Sequence, residues 1–230
     1  MRGLLISVFV WCLVALPAMA DRPIVVELYT SQGCSSCPPA DAILGELAER
    51  DDVIALGLHV DYWDYIGWKD EFAAPAFSSR QRSYARVAGA RSVYTPQMIV
   101  DGADHISGTK PMKLMERIDA HKARATPVTI WLTRDGDRVR IRAKSSEMLR
   151  RGATVRVATY LPKATVDISR GENAGRRLIY HNVVRNLIDV STWDGAGEFR
   201  ATVQSPDGVP LVVFIQEGHH GPMLAAGRLR

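Results

Sequence analysis

Ile24-Val25-Val26-Glu27-Leu28-Tyr29-Thr30, Ser31-Gln32-Gly33, Cys34-Ser35-Ser36-Cys37 and Pro38-Pro39 follow one another without a break. Apart from Glu27 and Thr30 the first seven residues are apolar, and they are rich in β-branched side chains, which predicts a buried strand. Ser31-Gln32-Gly33 predicts a turn. The proline pair predicts a helix start, because backbone N–H groups of the first turn have no intrahelical partner to lose. Ile43, Leu44, Leu47 and Ala48 then recur at helical spacing until Arg50-Asp51-Asp52. Val53 to Val60 is a second apolar run, and a strand–helix–strand succession predicts a parallel pair.

The cysteines sit where this pattern turns from strand to helix. The chain has three, and Cys12 lies in a segment read as a secretory signal. Met1-Arg2 gives that segment its positive start, Leu4 to Leu16 is its apolar run, and Ala18-Met19-Ala20 is a small-x-small cleavage pattern. Cleavage after Ala20 leaves a chain starting at Asp21 in a periplasmic or other secreted, oxidising environment, with no transmembrane anchor. Cys34 and Cys37 then remain. A bond between them closes almost no loop, and the stabilisation from a disulfide grows with loop length. Chemistry or metal binding explains the pair better than stability does. A helix start aims N–H groups and the positive dipole end at the first cysteine, favouring its thiolate. Cys34 is therefore expected to be the exposed nucleophile and Cys37 the resolving thiol one turn further in.

Downstream, a helix is expected from about Pro75 to Val87. Val93-Tyr94-Thr95-Pro96-Gln97-Met98-Ile99-Val100 leads through Asp101-Gly102 to a short strand near His105, and a further helix runs from Lys110 to about Ala123. After Thr126-Pro127 the pattern changes to short strands only: Val128 to Leu132, Val139 to Ala143, Val155 to Leu161, Leu187 to Val190, Phe199 to Val203 and Leu211 to Ile215. Asp135-Gly136 and Asp207-Gly208 are hairpin-type turns. The expected organisation is an α/β domain over residues 21–126, a mixed sheet flanked by helices, followed by an all-β, sandwich-like domain over 127–230. Net charge is +4 with acids and bases interspersed. No basic cluster carries interleaved aromatics, which argues against nucleic acid as a partner.

The strand containing Glu27, the Cys-x-x-Cys at a helix start and the later Tyr94-Thr95-Pro96 together resemble the thioredoxin superfamily. The run Cys34-Ser35-Ser36-Cys37-Pro38-Pro39-Ala40-Asp41, with His59 to Asp70, resembles more closely a family of secreted thioredoxin-like proteins of uncharacterised function. The resemblance implies a cis-proline at Pro96 facing the dithiol, with the Thr95 backbone offered to substrate. It matches Glu27 to the buried acid beneath the active site, although this chain has an extra residue before the first cysteine. A solvent-facing Glu27 is the other reading of that position. Ser35-Ser36 has neither the histidine of strongly oxidising relatives nor the Gly-Pro of typical reductants, so the potential lies anywhere from roughly −120 to −270 mV.

The stretch His59 to Asp70 follows the second strand, at the functional edge of an α/β sheet. Tyr62 and Trp63, with Tyr94, are candidate substrate contacts beside the dithiol. Trp68 reads rather as a cap on the core. His59 has three readings: a proton carrier, a metal ligand, or a hydrogen-bonded histidine at a strand end. Asn173-Ala174-Gly175-Arg176-Arg177 and Tyr180 to Arg185 read either as strand pairing or as a partner-docking surface, and His219-His220 as an exposed loop pair. The leading functional reading is a thiol–disulfide oxidoreductase that needs no cofactor and works on exported protein substrates with a redox partner. The alternative is copper(I) held by Cys34, Cys37 and His59 or His105. Thioredoxin-like copper carriers, however, space their cysteines one residue further apart. A third reading is a non-catalytic redox-sensing adaptor.

Overall fold

The computed structural model describes residues 22–230, so the stretch 1–20 read above as a secretory signal, the expected cleavage site and Cys12 lie outside the described residues. The chain is a mixed α/β protein. It opens with β1 (Ile24–Thr30), α1 (Pro38–Ala48), β2 (Val53–His59) and α2 (Pro75–Val87). The strands β3 (Gln97–Val100) and β4 (Asp104–Ser107) and the helix α3 (Pro111–Lys122) follow. Each helix begins on a proline, the residue best tolerated where the first N–H groups are free. β1 and β2 pair in parallel, as expected, with Thr30 opposite His59.

Seven strands complete the chain: β5 (Val128–Asp135), β6 (Arg138–Ser145), β7 (Ala153–Asp167), β8 (Arg177–Trp193), β9 (Phe199–Gln204), β10 (Leu211–Glu217) and β11 (Met223–Leu229). They do not fold as a unit apart. One eight-stranded sheet runs β11-β10-β7-β8-β2-β1-β3-β4, and only β5, β6 and β9 form a second, antiparallel sheet. The pattern change at Pro127 thus marks the strand-only part of the chain, while the main sheet continues across it. The junction is β8 lying parallel to β2, with Val183 opposite Gly57. A Cβ at Gly57 would come within 3.3 Å of the His181 carbonyl, so the missing side chain is what lets the two backbones approach. The Asn182 side chain adds a bond from Nδ2 to the Ala55 carbonyl at 2.9 Å.

Both faces of the large sheet are covered. One face carries α2: Phe77 and Tyr84 pack on Val25, Tyr29, Leu56 and Ile99 and, from the later strands, on Tyr160, Val184 and Phe214. The opposite face is shared. Its inner half holds α1 and α3, through Leu44, Leu47, Leu114 and Ile118. Its outer half holds the three-stranded sheet, whose Val128, Val139 and Ile141 pack on Val155, Val213 and Ile215. That face-to-face packing is sandwich-like, but the sheet beneath it is the shared mixed one and not that of the separate all-β domain expected over 127–230. The alternation along β5 and β6 follows from having one face buried and one wet.

Two strands are longer than their apolar runs. β7 and β8 extend as a ribbon to Asp167 opposite Arg177. The far end is polar, with Lys163, Thr165 and Asp167 in β7, so no hydrophobic period marks it. The ribbon packs instead through Val166, Ile168, Leu178 and Tyr180 on Phe72 and Trp68. This carries the turn between the two strands to the end of α1 where the cysteines lie.

Candidate redox site

Cys34 and Cys37 are joined as a disulfide, with their Cα atoms 5.4 Å apart. The backbone turns tightly through them: Cys34 N–H donates to the Ser31 carbonyl and Cys37 N–H to the Cys34 carbonyl. Cys37 is also the residue that precedes α1, and its carbonyl accepts from Ala40 and Asp41. The expected exposure of Cys34 is not found in this disulfide form. Cys34 is 1 % and Cys37 0 % exposed, and only Ser35 and Ser36 between them face solvent.

The Thr95–Pro96 bond is cis. A Cβ built on Gly108 would lie 2.8 Å from both Pro96 Cβ and Ala40 Cβ, so the proline packs beside the first turn of α1. Trp63 donates its indole N–H to Thr95 Oγ1 at 2.7 Å, and its Cβ lies 3.3 Å from where a Cβ of Gly33 would stand. The aromatic stretch therefore links the loop before the cysteines to the proline loop. Tyr62 is tied through its hydroxyl to Gln81, and Gln81 in turn donates to the Tyr94 carbonyl. Of the three proposed contact residues, Tyr94 is the most open, at 42 %.

Glu27 is neither a solvent-facing residue nor the acid under the cysteines. It lies on the α2 face of β1, the face opposite α1. Arg80 Nε donates to its Oε1 at 2.7 Å and the Tyr84 hydroxyl to its Oε2 at 2.5 Å. Alternation along the strand decides this: Val26 and Leu28 face α1, so Glu27 cannot. A carboxylate held in a buried ion pair is poorly placed to exchange protons with a dithiol on the other side of the sheet.

The acid on the α1 side is Asp41. It sits one helical turn after Cys37, is 4 % exposed, and neither carboxyl oxygen has a hydrogen-bond partner. Burial is the main reason its pKa rises to about 7; His59 and the Thr30 hydroxyl pull it down, and Asp70 pushes it up. Below it lies His59, which is buried, with Nδ1 2.7 Å from Asp70 Oδ2. Asp70 also accepts from the backbone of Gln32 at 2.8 Å and of Phe72 at 2.9 Å. Facing a carboxylate, Nδ1 is the donor, so a neutral His59 keeps its lone pair on Nε2. Nε2 has no partner, and neither do Thr30 Oγ1 nor the Tyr180 hydroxyl nearby. His59 is thus bonded at its strand end through one nitrogen only, and the Phe72 and Tyr180 rings stand edge-on to it, at 5.3 and 4.8 Å.

A cavity of about 550 Å³ opens between α1 and β8, lined among others by Pro38, Asp41, Gly45, Glu46, Lys163 and His181. Asp41 therefore borders both the buried polar layer and this cavity. Among the described residues, no three or more His, Cys, Asp or Glu side chains are grouped to hold a metal ion. The alternative set of Cys34, Cys37 and His59 is not assembled as a group among the described residues, although His59 Nε2 is without a partner. His105 and His220 lie instead around Tyr84, at 6.1 and 5.5 Å on the α2 side, so the second histidine of the His219-His220 pair is packed rather than exposed.

The sequence reading missed Asp41 as a site residue. The signal was present: Cys37, Asp41, Leu44 and Ala48 share one helical stripe, and an acid on a buried stripe asks for an explanation. It read Asn173 as part of a strand pairing or a partner-docking surface, not as a neighbour of the cysteines. That residue lies in the turn of the β7–β8 ribbon, and its Nδ2 donates to the carbonyls of Gln32 and Cys34 at 2.9 and 3.0 Å.

Fold and site together define a mixed α/β protein with a buried disulfide at the start of a helix, enclosed by residues from both ends of the chain. It belongs to the family described as protein of unknown function (DUF1223), which matches residues 25–216. The chain is similar to a crystal structure of an Agrobacterium tumefaciens protein, at 33% identity over 92% of this chain and 96% of that one, with a TM-score of 0.77. It is also similar to HBP35 of Porphyromonas gingivalis, with a TM-score of 0.62 over 91% of this chain and 75% of that one. At 12% identity that second likeness is one of fold alone. No curated protein matches the chain. No helix among the described residues is long and apolar enough to cross a membrane.

Proposed function

We propose that this is a thioredoxin-like thiol–disulfide oxidoreductase that exchanges the Cys34–Cys37 bond with thiols of exported proteins. One observation carries the reading: a disulfide closing a loop of two residues stands at a helix start, above a buried and unpartnered carboxyl group. Such a bond adds little stability, whereas an unpaired buried acid costs stability. Both features have a use if the bond is made and broken.

In the oxidising direction a substrate thiolate attacks Cys34 Sγ. The Cys34–Cys37 bond breaks, a mixed disulfide forms, and Cys37 leaves with the electron pair. Asp41, protonated up to about pH 7, supplies the proton to Cys37 and refills through the cavity beside α1. A second substrate thiol then displaces Cys34. The substrate loses two electrons and two protons to the dithiol. In the reducing direction Cys34 attacks, Cys37 resolves, and Asp41 takes the Cys37 proton. Trp63, which stands against Gly33 and bonds Thr95, and Pro96 beside the first turn of α1 would border the approach to Cys34. The leader over residues 1–20 supports a periplasmic or secreted location, where a redox partner resets the pair.

The test is exchange with a thiol or disulfide peptide. Cys34→Ser abolishes turnover. Cys37→Ser leaves an attacking Cys34 without a resolving thiol and accumulates a mixed disulfide visible by non-reducing electrophoresis. Equal loss in both variants with no adduct overturns the reading.

A further inference from the structure

The turn that ends the β7–β8 ribbon, residues 168–176, lies across the cysteine loop. It is a built turn: Ile168 N–H donates to the Arg176 carbonyl at 2.9 Å, Gly175 N–H to the Ile168 carbonyl at 2.7 Å, and Arg176 Nη1 to Asn173 Oδ1 at 2.8 Å. Within it Asn173 is 0 % exposed. Its two amide hydrogens serve the carbonyls of Gln32 and Cys34, on either side of Gly33. Glu172, itself exposed, accepts from the Ser35 N–H at 3.3 Å. The ribbon thus holds the cysteine loop before, at and after the attacking sulfur.

The consequence is steric. Thiol–disulfide exchange needs an incoming sulfur to reach the attacked one along the breaking bond, and Cys34 is 1 % exposed. A thiol on a folded protein or a long peptide carries too much bulk to enter such an opening. The hydrogen bonds that hold the turn on the cysteine loop are few, and those of Asn173 go to backbone carbonyls that water can satisfy once the turn lifts. The chemistry on the Glu172 side works in the same sense. The Glu172 carboxylate is held on the Ser35 N–H, next to Cys34 in the chain. Reducing the disulfide to a Cys34 thiolate therefore places a second negative charge beside Glu172, and the repulsion loosens the turn.

We infer that the 168–176 turn is a gate over the redox pair and that Asn173 determines which thiols react: the closed form admits small thiols, and protein or peptide thiols exchange through the open form. The inference rests on the thiol–disulfide reading above and adds a size selection that the reading does not require. In it the later strands have a role in the chemistry, because they carry the gate.

The experiment measures second-order rates of reduction of the oxidised protein by dithiothreitol and by a long thiol peptide. The quantity read is the ratio of peptide rate to dithiothreitol rate. In Asn173→Ala the ratio rises about tenfold, the effect expected when hydrogen bonds of ordinary strength no longer hold the gate. An unchanged ratio overturns the gate, even if both absolute rates rise, since a general loosening of the fold speeds both reagents together. Glu172→Ala provides the second variant, at an exposed position that threatens folding least: the ratio rises there too, and a ratio equal to that of the unaltered protein counts against the gate. If neither thiol reduces the unaltered protein and no mixed disulfide forms with Cys37→Ser, the redox reading itself fails and the gate with it.

Discussion

Asp41 is the residue whose chemistry depends most on its surroundings. Its pKa is about 7 in the folded chain, against a usual value near 3.8, and burial is the largest cause. A raised carboxyl pKa means that the folded state holds a proton the unfolded state has lost over that interval. Stability from this group is full below the unfolded value and drains away as pH rises toward 7. The oxidised protein should therefore lose up to about 4 kcal/mol between about pH 4 and about pH 8 on this account. Asp41→Asn should remove that slope and be the more stable form at the alkaline end. Urea midpoints of both proteins across the pH series check it. The same variant should flatten the pH dependence of exchange near pH 7, which a purely structural residue would leave in place. His59 supports Asp41 without replacing it, since Asp70 holds its Nδ1.

At the scale of the element, α2 is fastened by charge as well as by apolar packing. Arg80 meets Glu27 of β1 through two nitrogens, the Tyr84 hydroxyl through one of them, and Gln216 of β10. Gln216 also accepts from Arg156 of β7. One helix side chain thereby ties together strands from the two ends of the chain. Removing only the cation leaves a buried carboxylate uncompensated. Arg80→Met should cost about 3–5 kcal/mol, and Arg80→Met with Glu27→Leu should recover much of it, because two apolar side chains leave no charge to solvate. Chemical denaturation of the single and double variants decides this. A single variant as stable as the native chain would show that Glu27 is not held by charge there. Because Glu27 belongs to this fastening, neither variant should alter the pH profile of exchange in the folded protein.

On the scale of the whole molecule, the two parts of the sequence share one sheet and one core. The α2-facing cluster takes Val25, Tyr29 and Leu58 from the first part and Tyr160, Val184, Val212 and Phe214 from the second. A chain ending at residue 126 would bare the β2 edge at Gly57 and strip from Phe77 and Tyr84 the cover of Tyr160, Val184 and Phe214. Buried apolar area sets the main favourable contribution to folding, at about 25 cal/mol per Å², so this fragment should not fold cooperatively. Near-ultraviolet circular dichroism and thermal unfolding of the fragment check the point. A sharp transition would show that residues 22–126 carry a core of their own.

The local sequence determined β1, α1, β2, α2 and the disulfide loop, because each rests on neighbours in the chain: β-branched runs, prolines at helix starts, and two cysteines one turn apart. The cis bond at Pro96 was legible only through resemblance. Tertiary structure decided the rest. Which face of β1 meets α1 excluded Glu27 and selected Asp41, since side chains alternate across a sheet and only the packed partner gives a face its meaning. The join of β8 to β2 depends on a glycine more than a hundred residues away in sequence, and no local pattern records such a pairing. Asn173 reaches Cys34 for the same reason. Its polar turn drew notice in the sequence only as a strand pairing or docking surface, and it becomes part of the site because a long ribbon, fixed by packing on Phe72 and Trp68, carries it there.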